Sequence, residues 1–284
     1  PLGPVNVVVG ALSRNAGADT AAVLDRVIAG DAVAAWVDGH SCWDADGHGI
    51  AATPVRGGIA LDGVVSPVEA VTEAEHLLIS ARDGTTVLLP ARHPGISIEP
   101  LESLDRFRMF GQVQLTAVTA PRGSVVAGPD TDLVDRLRDL AVLVQLAEIV
   151  GALEWALETT VRWTFDRYSF GRPLAAYQAI QHRAADLRMW LEACRAITAD
   201  VAEAFDRDAP DRSELVSAAK SYVARQAPEA LHECVQFHGG IGVTAEHDLH
   251  LYLRRVAASA ATHGTASDHA ARLGVIVETR ESST

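Results

Sequence analysis

The sequence predicts an α+β multidomain chain, and three observations carry that prediction. Apolar residues recur at helical spacing near the start of the chain and again beyond about residue 129. Between those stretches lie short β-branched runs divided by Gly-, Asp- and Pro-containing turns. The later helical patterns are long, and short breaks join them, as in antiparallel bundles. The chain therefore divides into a remnant N-terminal helical segment (1–34), an antiparallel β-sandwich or barrel (35–128) and a C-terminal helical bundle (129–284).

In the first segment, Val5 to Leu12 is apolar. Asp19 then reads as an N-cap before Ala21, Val23, Leu24, Val27 and Ile28, with Gly30 as the stop. Two short helices cannot close a core, so this segment must lean on another part of the fold. In the second segment the predicted strands are 32–37, 59–61, 77–81, 86–89, 96–100 and 112–118. Asp-Gly pairs at 38–39, 62–63 and 83–84 and His-Pro-Gly at 93–95 separate them.

The third segment opens with a capping loop, Pro129-Asp130-Thr131-Asp132. A helical pattern follows from Leu133 to about Tyr168 through Leu137, Leu140, Leu143, Ala147, Val150, Leu153 and Leu157, and Gly171-Arg172-Pro173 breaks it. Further helices are expected over about 174–205, 213–238 and 248–262, with a last one opening at Gly264-Thr265 and running to about Glu278.

Composition excludes several classes. The 284 residues are 48% hydrophobic and 21% charged, ordinary for a globular protein. A net charge of −13 argues against nucleic acid as the main partner, since phosphate-backbone binding needs a basic face. Three widely spaced cysteines, Cys42, Cys194 and Cys234, signal neither a disulfide framework nor a zinc site and fit a reducing cytoplasm. Apolar stretches such as Leu140–Val144 read as interrupted before a membrane-spanning length, and no signal-peptide pattern opens the chain. His247 and His250 stand at a metal-ligand spacing, but no third ligand accompanies them and no metal is expected. Lys220 is the single lysine against 23 arginines.

One constellation carries chemistry. It runs Arg167-Tyr168-Ser169-Phe170-Gly171-Arg172-Pro173-Leu174, then Tyr177-Gln178-Ala179-Ile180-Gln181, then Gln236-Phe237-His238-Gly239-Gly240-Ile241-Gly242, and closes with Gly264-Thr265. Arg167 offers a planar guanidinium suited to phosphate oxygens. Ser169 adds a hydroxyl, and Gln178 and Gln236 can hold polar edges. Gly239 and Gly240 let a ligand approach the backbone closely. The local alternative is that Arg167 caps its helix against the macrodipole and the glycines merely end another helix.

These motifs resemble the acyl-CoA dehydrogenase family over the whole helical half. The resemblance implies an N-terminal helical domain, a middle β-domain and a C-terminal four-helix bundle. It also implies FAD as cofactor and α,β-dehydrogenation of an acyl-CoA thioester, with an electron-transfer flavoprotein as acceptor. By the same resemblance Arg167, Ser169, Phe170, Tyr177, Gln178, Gln236, Gly239 and Gly240 bind the pyrophosphate and adenosine end of a neighbouring subunit's FAD.

The departures sharpen the reading. The family's catalytic Glu often stands immediately before the Gly-Thr pair, where this chain has His263. Relatives that keep the base on the first long helix would place it near Ala141; Asp139 is two residues off and faces another direction. The regions expected to line the flavin ring read Val37-Asp38-Gly39-His40-Ser41-Cys42-Trp43 and Leu61 to Val68, without the family's acidic-Pro-Gly and Trp-Ile-Thr/Ser patterns. The N-terminal segment is also short for the family. The resemblance thus points to the subunit without the catalytic Glu in actinobacterial α2β2 steroid-CoA dehydrogenases. Two alternatives stand beside it: a homo-oligomer using His263 as base, and a flavin-free scaffold or CoA-ester-binding protein.

Overall fold

A computed structural model describes residues 1–15, 17–39, 49–129 and 131–282. The His40–Trp43 part of the first expected ring-lining region, together with Cys42, His48 and Asp130, lies outside them. Two compact units divide the chain, Pro1–Ala141 and Val142–Thr284.

The first unit begins with helices α1 (Leu2–Asn15) and α2 (Ala18–Ala29). Gly17, not Asp19, is the N-cap of α2: Asp19 lies inside the first turn, and the Gly17 amide donates to Thr20 Oγ1 at 2.9 Å. Gly30 ends the helix in the left-handed region at φ 80°, as its position predicted.

Two four-stranded sheets follow. One has the order β1 (Ala34–Asp38), β4 (His76–Ser80), β5 (Thr86–Pro90), β8 (Val125–Ala127). The other has the order β2 (Ile50–Val55), β3 (Gly58–Glu69), β7 (Phe110–Pro121), β6 (Ile96–Leu101). The pairing is antiparallel throughout except between β1 and β4, which run parallel. Inward residues of both sheets, among them Val37, Leu61, Ile79, Leu89, Val113 and Val118, form one core. The opposite face of the first sheet, through Trp36, Leu78 and Leu88, packs with Val7, Val8, Leu12 and Val27 of the two helices and with Leu133, Val134 and Leu137. Covering on both faces explains why β1 reads as an unbroken apolar run and not an alternating one. It also supplies the support the N-terminal helices lacked on their own.

Helix α3 (Thr131–Asp166) starts in the first unit and continues in the second. The second unit also has α4 (Gln178–Asp206), α5 (Arg212–His238), α6 (Leu249–Ala261) and α7 (Ala266–Ser282), with α5 packed against the other three. Leu146, Ile149, Leu153 and Leu157 of α3, Leu187 and Leu191 of α4, Val223 and Leu231 of α5 and Val256 of α6 share a single core. The sequence reading of α3 as interrupted needs correction. Over Asp132–Asp166 the helix is long and apolar enough, at a windowed mean hydropathy of 1.8, to match a membrane span by length and composition. Part of that apolar surface is buried in the two cores the helix joins, through Leu133, Val134 and Leu137 in the first unit and Leu146, Ile149, Leu153 and Leu157 in the second.

Candidate functional site

The break after α3 is a built element. The Arg167 amide donates to Trp163 O at 2.9 Å as the last helical bond. The chain then forms a two-residue hairpin between β9 (Tyr168–Ser169) and β10 (Arg172–Pro173). Its turn residues Phe170 and Gly171 have φ of 50° and 82°, the positive values that a type I′ turn demands of both central positions. Leu174 N to Arg167 O at 2.9 Å closes the hairpin, and the Tyr177 hydroxyl donates to Ser169 O at 2.8 Å. The Arg172 guanidinium sits 3.9 Å over the Tyr177 ring. Tyr177 thereby braces the hairpin and fixes it to the N-terminus of α4, where Gln178 begins the helix.

Side chains of Arg167, Ser169 and Gln178 make no hydrogen bond or ion pair among the described residues, so Arg167 does not cap α3 through its guanidinium. Phe170 is 99% exposed. A bulky aromatic held in a left-handed turn and fully in solvent gains nothing from this chain's own packing.

The second arm lies at the end of α5. Gln236 is exposed, while Phe237 and His238 are buried. His238 Nδ1 donates to Cys234 O at 2.8 Å, and its Nε2 is buried without a hydrogen-bond partner. Burial lowers the His238 pKa, and nearby His247 pushes the same way, against the Cys234 carbonyl. Gly239 takes φ 64° and ψ −141°, and a short 3₁₀ turn, Gly239–Val243, follows. A Cβ at Gly239 or Gly240 would project into open space, whereas one at Gly242 would meet Val235 O and His238 Cβ at 2.9 Å. Gly242 is therefore required by packing, and the pair before it leaves an accessible backbone ledge.

The two arms meet through rings. Trp163 stacks on His238 with centroids 5.3 Å apart, one helical turn before Arg167 and two residues after Gln236. The His247 ring lies 4.5 Å from His238. Nothing in the sequence pattern announced the Trp163–His238 contact, which joins residues 75 positions apart. His247 accepts the Leu249 amide at 3.1 Å, and His250 Nδ1 faces His247 O at 2.8 Å, so both are engaged locally. Asp186 pairs with Arg183 at 3.7 Å on the surface of α4. Cys194 and Cys234 are buried free thiols with pKa values pushed up to about 11 by desolvation.

The positions expected to carry a base are differently furnished. Ala141 belongs to the apolar core of the first unit, and Asp139 is fully buried. His263 occupies the α6–α7 turn at φ 53°, with its carbonyl bonded to buried His269 Nε2 at 2.8 Å. In β3, Pro67 contributes no N–H, and the register to β7 shifts between Val65 and Val68.

An exposed guanidinium, free amide side chains and an open glycine ledge fit the phosphate and nucleoside end of a dinucleotide cofactor. Comparison with known proteins defines the class. The family described as acyl-CoA dehydrogenase, C-terminal domain, matches residues 142–273. The acyl-CoA dehydrogenase IpdE2 of Mycolicibacterium smegmatis is 32% identical over 237 residues, covering 80% of this chain and 74% of the relative. The chain belongs to the acyl-CoA dehydrogenase family, whose cofactor is FAD. Other mycobacterial relatives are longer, and this chain spans 60% of one and 30% of another. Among solved structures, a variant of the Tcur3481–Tcur3483 steroid ACAD matches at TM-score 0.89 and 29% identity over 99% of this chain and 77% of that one. The ChsE4–ChsE5 complex of Mycobacterium tuberculosis shares the fold at TM-score 0.88 and 24% identity, over 97% of this chain and 74% of its counterpart.

Proposed function

We propose that this chain is one subunit of a heteromeric, FAD-dependent acyl-CoA dehydrogenase and supplies the adenosine-diphosphate half-site to a catalytic partner subunit. When bound, FAD supplies the hydride acceptor for α,β-dehydrogenation of an acyl-CoA thioester. In this reading Arg167 and Ser169 hold pyrophosphate oxygens, Gln178 and Gln236 hold polar edges of the nucleoside, and the Gly239–Gly240 ledge admits the chain of phosphates against the backbone. Phe170 and Tyr177 present and brace the hairpin that reaches to the partner. The base resides on the partner. One observation carries the proposal: exposed Arg167 and half-buried Ser169 have side chains that make no hydrogen bond or ion pair among the described residues, while the base position holds His263 and the ring-side strand holds Pro67.

The steroid ACAD similarity supports a steroid-derived acyl group as substrate and a second acyl-CoA dehydrogenase chain as partner in an α2β2 assembly. We place the enzyme in the cytoplasm, with an electron-transfer flavoprotein as acceptor. The division at 1–34, 35–128 and 129–284 then separates an N-terminal helical segment, a β-domain and the cofactor-bearing bundle. Bound FAD per chain, read by absorbance for this protein alone and with its partner, tests the proposal. Little flavin alone and about one FAD per two chains in the complex, the ratio two half-sites demand, is the expected result. One FAD per chain in the isolated protein overturns it and favours the homo-oligomer with His263 as base. A protein that stays colourless with every acyl-CoA dehydrogenase partner favours the scaffold.

A further inference from the structure

The single lysine of the chain, Lys220 in α5, is completely buried. Burying an ammonium is costly unless its protons are bonded. Lys220 Nζ donates to Ser259 O at 2.6 Å, to Gln145 Oε1 at 2.9 Å and to Thr262 O at 3.1 Å. Ser259 O lies in the last turn of α6 and Thr262 is its C-cap, where carbonyls lack helical partners and the helix dipole favours a cation. Gln145 completes the clasp by donating from Nε2 to Thr262 Oγ1 at 2.6 Å. Thr262 is thus held at both its carbonyl and its hydroxyl.

The next residues are held in turn. His269 Nε2 bonds His263 O at 2.8 Å, and Asp268 Oδ2 accepts from the Thr265 amide and hydroxyl at 2.8 and 2.7 Å. Between these anchors His263 keeps φ 53°, a conformation that a non-glycine residue retains only where its surroundings over-determine it.

We propose that Lys220 is a positioning residue for the turn Thr262–Thr265 and so fixes the seat of residue 263. The inference rests on the reading above only in treating residue 263 as the family's base position. Lysine suits the role where arginine does not. An ammonium gathers its donors on one nitrogen that can turn toward Ser259 O, Gln145 Oε1 and Thr262 O together, whereas a guanidinium brings five in a rigid plane. A chain that uses arginine at its 23 other Lys/Arg positions keeps its one lysine at this clasp.

The test uses the full chain with labelled histidine, the His263 imidazole resonance being assigned by its loss in His263→Gln. In Lys220→Met, amide exchange of the peptide spanning 261–266 should accelerate by about tenfold or more, the size of effect expected when local opening is released from global stability. Exchange over 187–194 of α4 should not change. The His263 resonance should shift or split, while those of exposed His182 and His232 stay fixed. Lys220→Arg should resemble Lys220→Met and not wild type. Wild-type exchange and resonance in folded Lys220→Met overturn the proposal, as does equal acceleration in α4 and the turn. If Lys220→Met does not fold, Gln145→Met must show the selective acceleration, and its absence is equally decisive. None of these measurements involves flavin or partner, so the clasp can fail while FAD stoichiometry supports the half-site, or the reverse.

Discussion

Replacing Arg167 by alanine in the complex with the catalytic subunit separates a cofactor role from a structural one. Its guanidinium is exposed and makes no hydrogen bond or ion pair among the described residues, so the substitution removes nothing the fold uses. Surface changes of that kind stay within about 0.5 kcal/mol of wild-type stability. A charge-assisted hydrogen bond to a pyrophosphate oxygen is worth about 1.5–3 kcal/mol. At about 1.4 kcal/mol per decade, losing it weakens FAD binding roughly 10- to 150-fold. Gly240→Val is the companion, because its Cβ meets nothing in the chain yet occupies the ledge a ligand would need. FAD affinity is measured by fluorescence titration of the apo complex, and Tm by circular dichroism. Both variants should keep Tm and lose FAD. Wild-type affinity in both, at unchanged Tm, refutes the half-site assignment; a fall in Tm matching the loss of FAD makes these residues structural.

Two further predictions concern the histidines. Burial depresses the folded-state pKa of His238 below its unfolded value of 6.5, so the unfolded chain takes up its proton first on acidification. That contribution is complete above pH 6.5 and is lost as pH falls toward the folded pKa. The drop in urea midpoint from pH 7.5 to 5 should therefore be smaller in His238→Gln, and an equal drop counts against the assignment. His263→Glu should fold, since the clasps described hold Thr262, the 263 carbonyl and Thr265. It should give no acyl-CoA dehydrogenation in the isolated chain; turnover there would show that only the base was missing.

The parts of the fold that local pattern controls were legible. β1, β4 and β5 are apolar runs because both faces of their sheet are covered, and α3 to α6 follow from period and breakers. The β2 strand escaped because it carries Pro54, exposes most of its residues and shows no alternation. The parallel pairing of β1 with β4 is a topological choice that no spacing encodes. The Arg138–Asp38 ion pair, with bonds of 2.7 and 2.8 Å across 100 residues, is equally silent in the sequence. At the candidate site the motifs named two segments, 167–178 and 236–242, that the bundle brings near one another. The Trp163–His238 stack that joins them and the Lys220 clasp stayed hidden, because partner choice at long separation depends on the assembled bundle. Lysine on a helix reads as a solvent-facing residue, and the acceptors that converge on Lys220, Ser259 O, Gln145 Oε1 and Thr262 O among them, belong to distant segments.

The Lys220 clasp is one of several holds on the turn that carries residue 263. The groups that hold Thr262–Thr265 come from α3, α5 and α7 and grip the backbone at 262, 263 and 265 together with two threonine hydroxyls. None of those bonds uses the side chain at 263. A change of side chain at 263 removes none of these named backbone bonds. The hairpin shows the complementary case. Its aromatic tip is held in a conformation the chain itself does not reward, with Phe170 in solvent and its backbone at positive φ. Structure kept without local benefit is most economically explained by a contact outside the chain, and in the half-site reading that contact is the partner and its cofactor.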